Sequence, residues 1–240
     1  MRVVVGLGAV ALVLFLTLRA LFGGGTVSWN QRLTLVIETP QGEVRGSAVT
    51  RVENVTSKGA LVLVEARGTR SYWTGEAVAV EVLPGKWLFA LLQSEGGTDA
   101  GHWVFAAYDL GTAVGADGYP SYDAAMAKLR AQPLDVPVPL PAEGMPMLVA
   151  FDEITDPKTV RRVDPRNLAA VFGEGVRLKA VTLEITDEPV TEGRIEGVLG
   201  WLRAIWPNQL GGRNIITIRA ENIFANSLSV GNFSTEIGNP

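Results

Sequence analysis

The chain contains no cysteine. That single absence removes lipoprotein acylation, thiol catalysis, iron–sulfur clusters, cysteine zinc sites and disulfides. It contains one histidine, His102. A histidine-rich metal site therefore cannot form within one chain, and a Ser–His–Asp triad could use only this residue. Positive charge is also scarce. Beyond residue 25, nineteen basic side chains face twenty-five acidic ones, a net charge of −6. This balance argues against a nucleic-acid surface and against a polybasic lipid patch. Between Val3 and Leu18 there is no charge of either sign, and the only polar side chain is Thr17.

That apolar run decides where the rest of the chain works. As a helix, Val3 to Leu18 spans about 24 Å at roughly 1.5 Å per residue. Continued to Phe22 it reaches about 30 Å, the thickness of a bilayer hydrocarbon core. Arg19 then sits near the end, where its side chain can snorkel to the headgroups. Gly23, Gly24 and Gly25 stop the helix and form a tether. The first reading is a single-pass signal anchor over residues 1–25, with Arg2 inside and the remainder outside; Arg19, on the outer flank, counts against that orientation. The second is a cleaved signal peptide. Its apolar run would be long, and Gly23-x-Gly25 is a poor cleavage site. The third is a nucleotide fingerprint, because Gly6-x-Gly8-x-x-Ala11 follows Val3-Val4-Val5. Val10 to Leu18 has no polar face, and the first acid in the chain is Glu38. Those two features favour the membrane reading.

Past the tether, period-two alternation dominates. Trp29 to Glu38 predicts a strand, Pro40-Gln41-Gly42 a turn, and Glu43 to Val52 the returning strand of a hairpin. Gly46 inside that strand points to a bulge or a close backbone approach. Further strands are expected over Ala60–Glu65, Ser71–Leu83, Lys86–Leu92 and His102–Ala107, which makes the first half an antiparallel sheet. Ser121 to Gln132 predicts a helix capped by Ser121 or Asp123. Leu134 to Pro141 has too many prolines for a central strand and reads as a surface linker. Met147–Phe151 and Val176–Thr186 predict strands. Asp164-Pro165 starts a helix that Gly173 ends. Thr191 is expected to cap the best helix, Glu192 to Trp206, whose apolar stripe runs Ile195, Val198, Leu199, Leu202 and Ile205 or Trp206. Arg213 to Ala220 predicts a last strand. Residues 221–240 read as a loosely ordered tail.

Two stretches carry a resemblance. Trp29-x-Gln31-Arg32-Leu33-Thr34 precedes Glu38-Thr39-Pro40-x-Gly42. Phe151-Asp152-Glu153-Ile154-x-Asp156-Pro157-Lys158-x-Val160 precedes Val163-Asp164-Pro165. Together they resemble an uncharacterised group of proteobacterial proteins with an N-terminal membrane segment, over Trp29 to Trp206. The resemblance implies a bacterial envelope setting and carries no activity. A cysteine-free chain of this size suits that setting better than a eukaryotic extracellular one.

Candidate chemistry is sparse. Asp152, Glu153 and Asp156 could offer oxygens to a hard cation, but their spacing is not an EF-hand loop and Asp-Pro is ordinary turn chemistry. His102, near Asp99 and Asp109, could act as an oriented base, yet no G-x-S-x-G motif accompanies it. Tyr119 and Tyr122 could line a pocket or simply belong to a helix-capping loop. Trp201 and Trp206 read as core or interface anchors, and exposure of either would favour a protein partner.

The expectation is thus α+β: an N-terminal transmembrane helix, then one β-rich domain over 26–220 with mostly antiparallel sheet and a few short helices, divisible near 133–146. The expected location is the bacterial inner membrane, single-pass, with the C-terminal domain in the periplasm. The expected function is a binding, assembly or accessory role, without cofactor, metal or assigned catalytic residue. The expected partners are the lipid bilayer and a membrane or periplasmic protein, with no nucleic acid. The alternatives are a periplasmic hydrolase or metal-dependent enzyme using 152–156 or His102, and a prophage-type envelope component.

Overall fold

Leu33, Leu35 and Ile37 alternate with Arg32, Thr34 and Val36, and a strand must send the two sets to opposite faces. In a computed structural model, which describes residues 24–58, 61–63, 65, 67–217 and 219–237, they do so. Strand β1 (Gly24–Thr39) turns at Pro40-Gln41 into β2 (Gly42–Ser57). The Thr39 hydroxyl fastens the turn by donating to the Gly42 carbonyl (2.9 Å) and accepting from the Gln41 N–H (3.2 Å). Strand β9 (Arg177–Thr186) runs antiparallel on β1, with Leu33 opposite Leu183 and Leu35 opposite Val181. Those four side chains are buried. The opposite face pairs Arg32 with Glu184 and Thr34 with Thr182.

The described residues form two compact units. In the smaller, Gly24–Ser28 and 53–72, the ends of β1 and β2 are joined by β3 (Gly68–Thr74), which lies beside β2. The Thr56 and Thr69 hydroxyls meet there at 3.1 Å. The larger unit, 29–52 and 73–237, contains two antiparallel sheets. One is ordered β2-β1-β9-β6, where β6 is the two-residue Val138–Pro139. The proline-rich stretch is therefore an edge strand, the place where a missing N–H costs least. The other is ordered β4-β5-β7-β8, from Val78–Leu83, Lys86–Ser94, Pro146–Phe151 and Val160–Arg162. Gly46 sets the approach of β2 to β4: a Cβ there would lie 2.6 Å from the Ala79 carbonyl oxygen.

The helices are few and short: α1 (Trp103–Ala107), α2 (Tyr122–Arg130), α3 (Ala169–Phe172), α4 (Arg194–Val198) and α5 (Leu202–Ile205). The Ser121 hydroxyl caps α2 by accepting from the Ala124 N–H. On the second sheet, Phe89 meets Phe151 and Phe233 edge-on, with ring centroids 5.6 and 6.1 Å apart. Ile195, Leu199 and Leu202 close over the same core. Each fully buried side chain of this size is worth about 1.5–3 kcal/mol before entropy.

Several expected elements differ. Val3–Phe22 lies outside the described residues, and among the described residues no helix is long and apolar enough to cross a membrane. In Ala60–Glu65 the described positions are turn, bend, coil and 3-10, and the strand forms at Gly68–Thr74 instead. Ser71–Leu83 is broken at Gly75, whose φ of +138° no strand interior accepts. His102–Ala107 is helical, because Asp99 caps a 3-10 turn (Ala100–His102) that runs straight into α1. A short apolar run cannot distinguish strand from helix by period alone. Asp164-Pro165 makes a turn, with the Asp164 carboxylate accepting from the Arg166 N–H, and α3 begins only at Ala169. Glu192–Trp206 splits into α4 and α5, leaving Leu199, Gly200 and Trp201 between them. The stripe survives the break, since Ile195, Leu199 and Leu202 are fully buried. Arg213–Ala220 is bend, turn and coil at its described positions. The tail read as loose instead packs Ala225, Leu228, Val230 and Phe233 into the core through two 3-10 turns.

Candidate functional site

The polar face of the β2-β1-β9 sheet needs an environment, and in the larger unit it floors a cleft of about 600 Å³. Thr34 and Thr182 lie opposite each other on the floor, with Ser47 of β2 beside them. Ala77 and Ala79 form one wall, Pro137 contributes on another side, and Thr191 and Arg194 stand at the entry to α4. Small side chains leave the space open. No other described residue engages the hydroxyls of Thr34, Thr182 and Ser47.

Arg32 sits at one end of the floor. Its Nη1 lies 3.1 Å from the Glu184 carboxylate, and its Nη2 lies 2.7 Å from Glu188 and 3.2 Å from Asp135. The Thr186 hydroxyl also reaches Nη2 (3.1 Å) and donates to Asp135 (2.6 Å). Asp135 holds φ +56°, a left-handed conformation that Asp tolerates better than most residues. Three acids thus converge on one guanidinium, whose planar fork suits several oxygens at once. At the other end, Arg45 pairs with Glu43, and Glu43 in turn with Lys179. The hydrogen bonds from Lys179 and Arg45 hold the Glu43 carboxyl below its usual range.

The third arginine, Arg194, is held differently. Glu76 is 2% exposed and has no basic partner among the described residues. Its carboxylate accepts the backbone N–H groups of Gly193 (2.5 Å), Arg194 (3.0 Å) and Ile195 (3.2 Å). These are donors that the start of a helix leaves without intrahelical acceptors. Burial pushes the Glu76 carboxyl above its ordinary value, and the three N–H groups only partly offset that. Thr191, expected as the helix cap, instead bonds both ways with Val49 of β2. The backbone beneath Arg194 is therefore pinned, while its guanidinium has no ion pair among the described residues.

The residues singled out from sequence lie elsewhere. Asp152 and Glu153 border a separate groove of about 430 Å³ with Lys86 and Arg161. Asp152 pairs with Arg161 (2.9 Å), Glu153 accepts from the Thr155 hydroxyl (2.9 Å), and Asp156 accepts from the Lys158 N–H (2.9 Å). One oxygen of each acid is thus engaged by a neighbouring residue of the protein. Among the described residues no three His, Asp or Glu side chains gather as a metal site. Tyr119 is 72% exposed at a loop tip. Trp201 is a core anchor, its indole N–H donating to the Ile154 carbonyl (2.8 Å) and its ring edge-on to Phe151. Trp206 is 43% exposed.

His102 does meet the nearby Asp99, with Nδ1 3.0 Å from the carboxylate. That hydrogen bond raises the imidazole pKa above 6.5. The raised pKa adds stability that is complete below pH 6.5 and fades as pH rises through the folded-state value. With a half-exposed side chain the effect on stability is small. The single histidine makes the shift readable. One imidazole signal in an NMR titration should turn over above 6.5, and Asp99→Asn should bring it down. An equal midpoint in both proteins would contradict the pairing.

Sequence reasoning missed the cleft. Arg32, Glu184 and Glu76 are separated by 44 to 152 positions in the chain, and nothing local links them. One signal was present: Arg32 and Thr34 on the polar side of a strand, with Glu184 and Thr182 on the polar side of the longest alternating strand. Comparison of the chain with family models, curated proteins and solved structures finds no match.

Proposed function

We propose that the protein is a bacterial envelope protein, held at the inner membrane by Val3–Phe22 with its remainder in the periplasm, and that its role is to bind rather than to catalyse. The anchor rests on the length and apolarity of that stretch. The observation that carries the binding role is the cleft, an open, small-walled space whose Thr34, Thr182 and Ser47 hydroxyls and Arg194 guanidinium have no partner among the described residues. The groups that hydrolysis or metal chemistry would draw on sit apart from it, in the Glu153–Thr159 turn and beside Asp99. A second reading, docking to a membrane or periplasmic protein, is favoured by Trp206, Ile215 and Ile216, which are 43%, 63% and 70% exposed.

Alkaline phosphatase fused after Gly25 should be active in a bacterium, and the tagged full chain should stay with membranes through carbonate washing. Crosslinking from Ile216 should then trap a specific partner if the second reading holds. An inactive fusion, or release of the intact chain by carbonate, would overturn the anchored topology.

A further inference from the structure

We propose that the cleft on the polar face of β2-β1-β9 binds a small polyhydroxylated monocarboxylate, with its carboxylate on Arg194 and its hydroxyls on Thr34, Thr182 and Ser47. The inference deepens the binding reading above and rests on it. At about 600 Å³ the cleft falls within the size range of small-molecule sites, roughly 300–1,000 Å³.

The charge distribution selects the anion. Arg32 is spent on Glu184, Asp135 and Glu188, and Arg45 on Glu43. Arg194 alone among the arginines of the cleft lacks an acidic partner among the described residues. Its backbone is fixed, because Glu76 accepts its own N–H and those on either side. A guanidinium with a fixed base and a free fork matches the two coplanar oxygens of a carboxylate. The acids around Arg32 set the limit on charge. A phosphate dianion would share the cleft with Glu184, whose side chain is 10% exposed, and would feel Asp135 and Glu188 behind it. Arg32 offsets only one of these three acidic charges, so the cluster stays net negative and a second negative charge on the ligand is disfavoured.

The floor selects the rest of the ligand. Thr34 and Thr182 present a cross-strand pair of hydroxyls, and Ser47 adds a third. Each can donate and accept, as can a sugar hydroxyl. The walls offer alanines, and no aromatic ring lines the space. The cleft therefore has no stacking platform for an apolar or aromatic ligand.

The test uses the full chain in detergent or nanodiscs, with calorimetric titration of three probes: D-gluconate, sorbitol and inorganic phosphate. Gluconate and sorbitol share a hydroxylated skeleton and differ in the carboxylate. Gluconate should bind saturably and at least tenfold more tightly than sorbitol or phosphate. Arg194→Gln should weaken gluconate at least tenfold, and Thr34→Val with Thr182→Val should weaken it severalfold. Urea midpoints near wild type would show that the variants fold. Equal binding of gluconate and sorbitol, tighter binding of phosphate, or gluconate binding indifferent to Arg194→Gln would each overturn the proposal. Partner capture by the same full chain from membranes reports on the broader binding role. If capture succeeds while gluconate fails, only the ligand class falls.

Discussion

Replacing Glu76 with alanine should lower the unfolding free energy by about 3–4 kcal/mol and displace α4. The variant strips acceptors from three N–H groups at Gly193, Arg194 and Ile195. An unsatisfied buried donor costs about 1–3 kcal/mol, and removing a costly buried charge returns part of that. Ile195 is fully buried against the core, so α4 cannot turn to water without giving up its packing. Glutamine at 76 keeps one carbonyl acceptor and should lose roughly half as much. The pH dependence has a definite sign. Burial raises the folded-state pKa of Glu76 above 4.5. Its ionisation therefore leaves stability intact below 4.5 and erodes it as pH rises through the folded value. The gap between wild type and Glu76→Gln should accordingly narrow from pH 4.5 to pH 8 in urea melts. A gap that widens with pH would contradict the unpaired burial of this carboxylate.

Glu76 also shows why the second half of the chain was hard to read. Thr191 followed by an apolar stripe is an ordinary helix signal. The sequence cannot show that an acid more than a hundred residues away supplies the cap, nor that the helix breaks after Val198. The strands were more legible, because burial of one face imposes a strict period of two. Leu33, Leu35 and Ile37, and likewise Val78, Val80 and Val82, are buried as their alternation requires. The misread elements are those without such a rule. His102–Ala107 is short enough to be either strand or helix. The stretch after Asn222 is rich in Asn, Ser and Gly, which suggested disorder, but its few apolar residues fall on the core. There its polar side chains turn into caps: Asn222 Oδ1 accepts from the Ala225 N–H, and Asn232 Oδ1 from the Ser229 N–H. Composition alone does not report that geometry.

Arg32→Met should be the other large effect, about 3 kcal/mol of lost stability at pH 7. Glu184 is 7% exposed, and Arg32 is its ion-pair partner among the described residues. Removing that partner leaves a buried carboxylate uncompensated, which typically costs about 3–5 kcal/mol. The side chain of Arg32 is itself 22% exposed, so water can reach the gap and the lower end applies. Asp135 and Glu188 add like-charge repulsion once the guanidinium that joined them is gone. Methionine retains most of the length and apolar stem, so packing changes little and the loss is electrostatic. Neutralising the three acids by Asp135→Asn, Glu184→Gln and Glu188→Gln abolishes both the unpaired charge and the repulsion. In that background Arg32→Met should change the urea midpoint little. Arg32→Lys should recover less than the charge alone would suggest, because one ammonium cannot span Glu184, Glu188 and Asp135 together. A deficit that persists unchanged in that neutralised background would mean that Arg32 matters for its packing and not for its three acids.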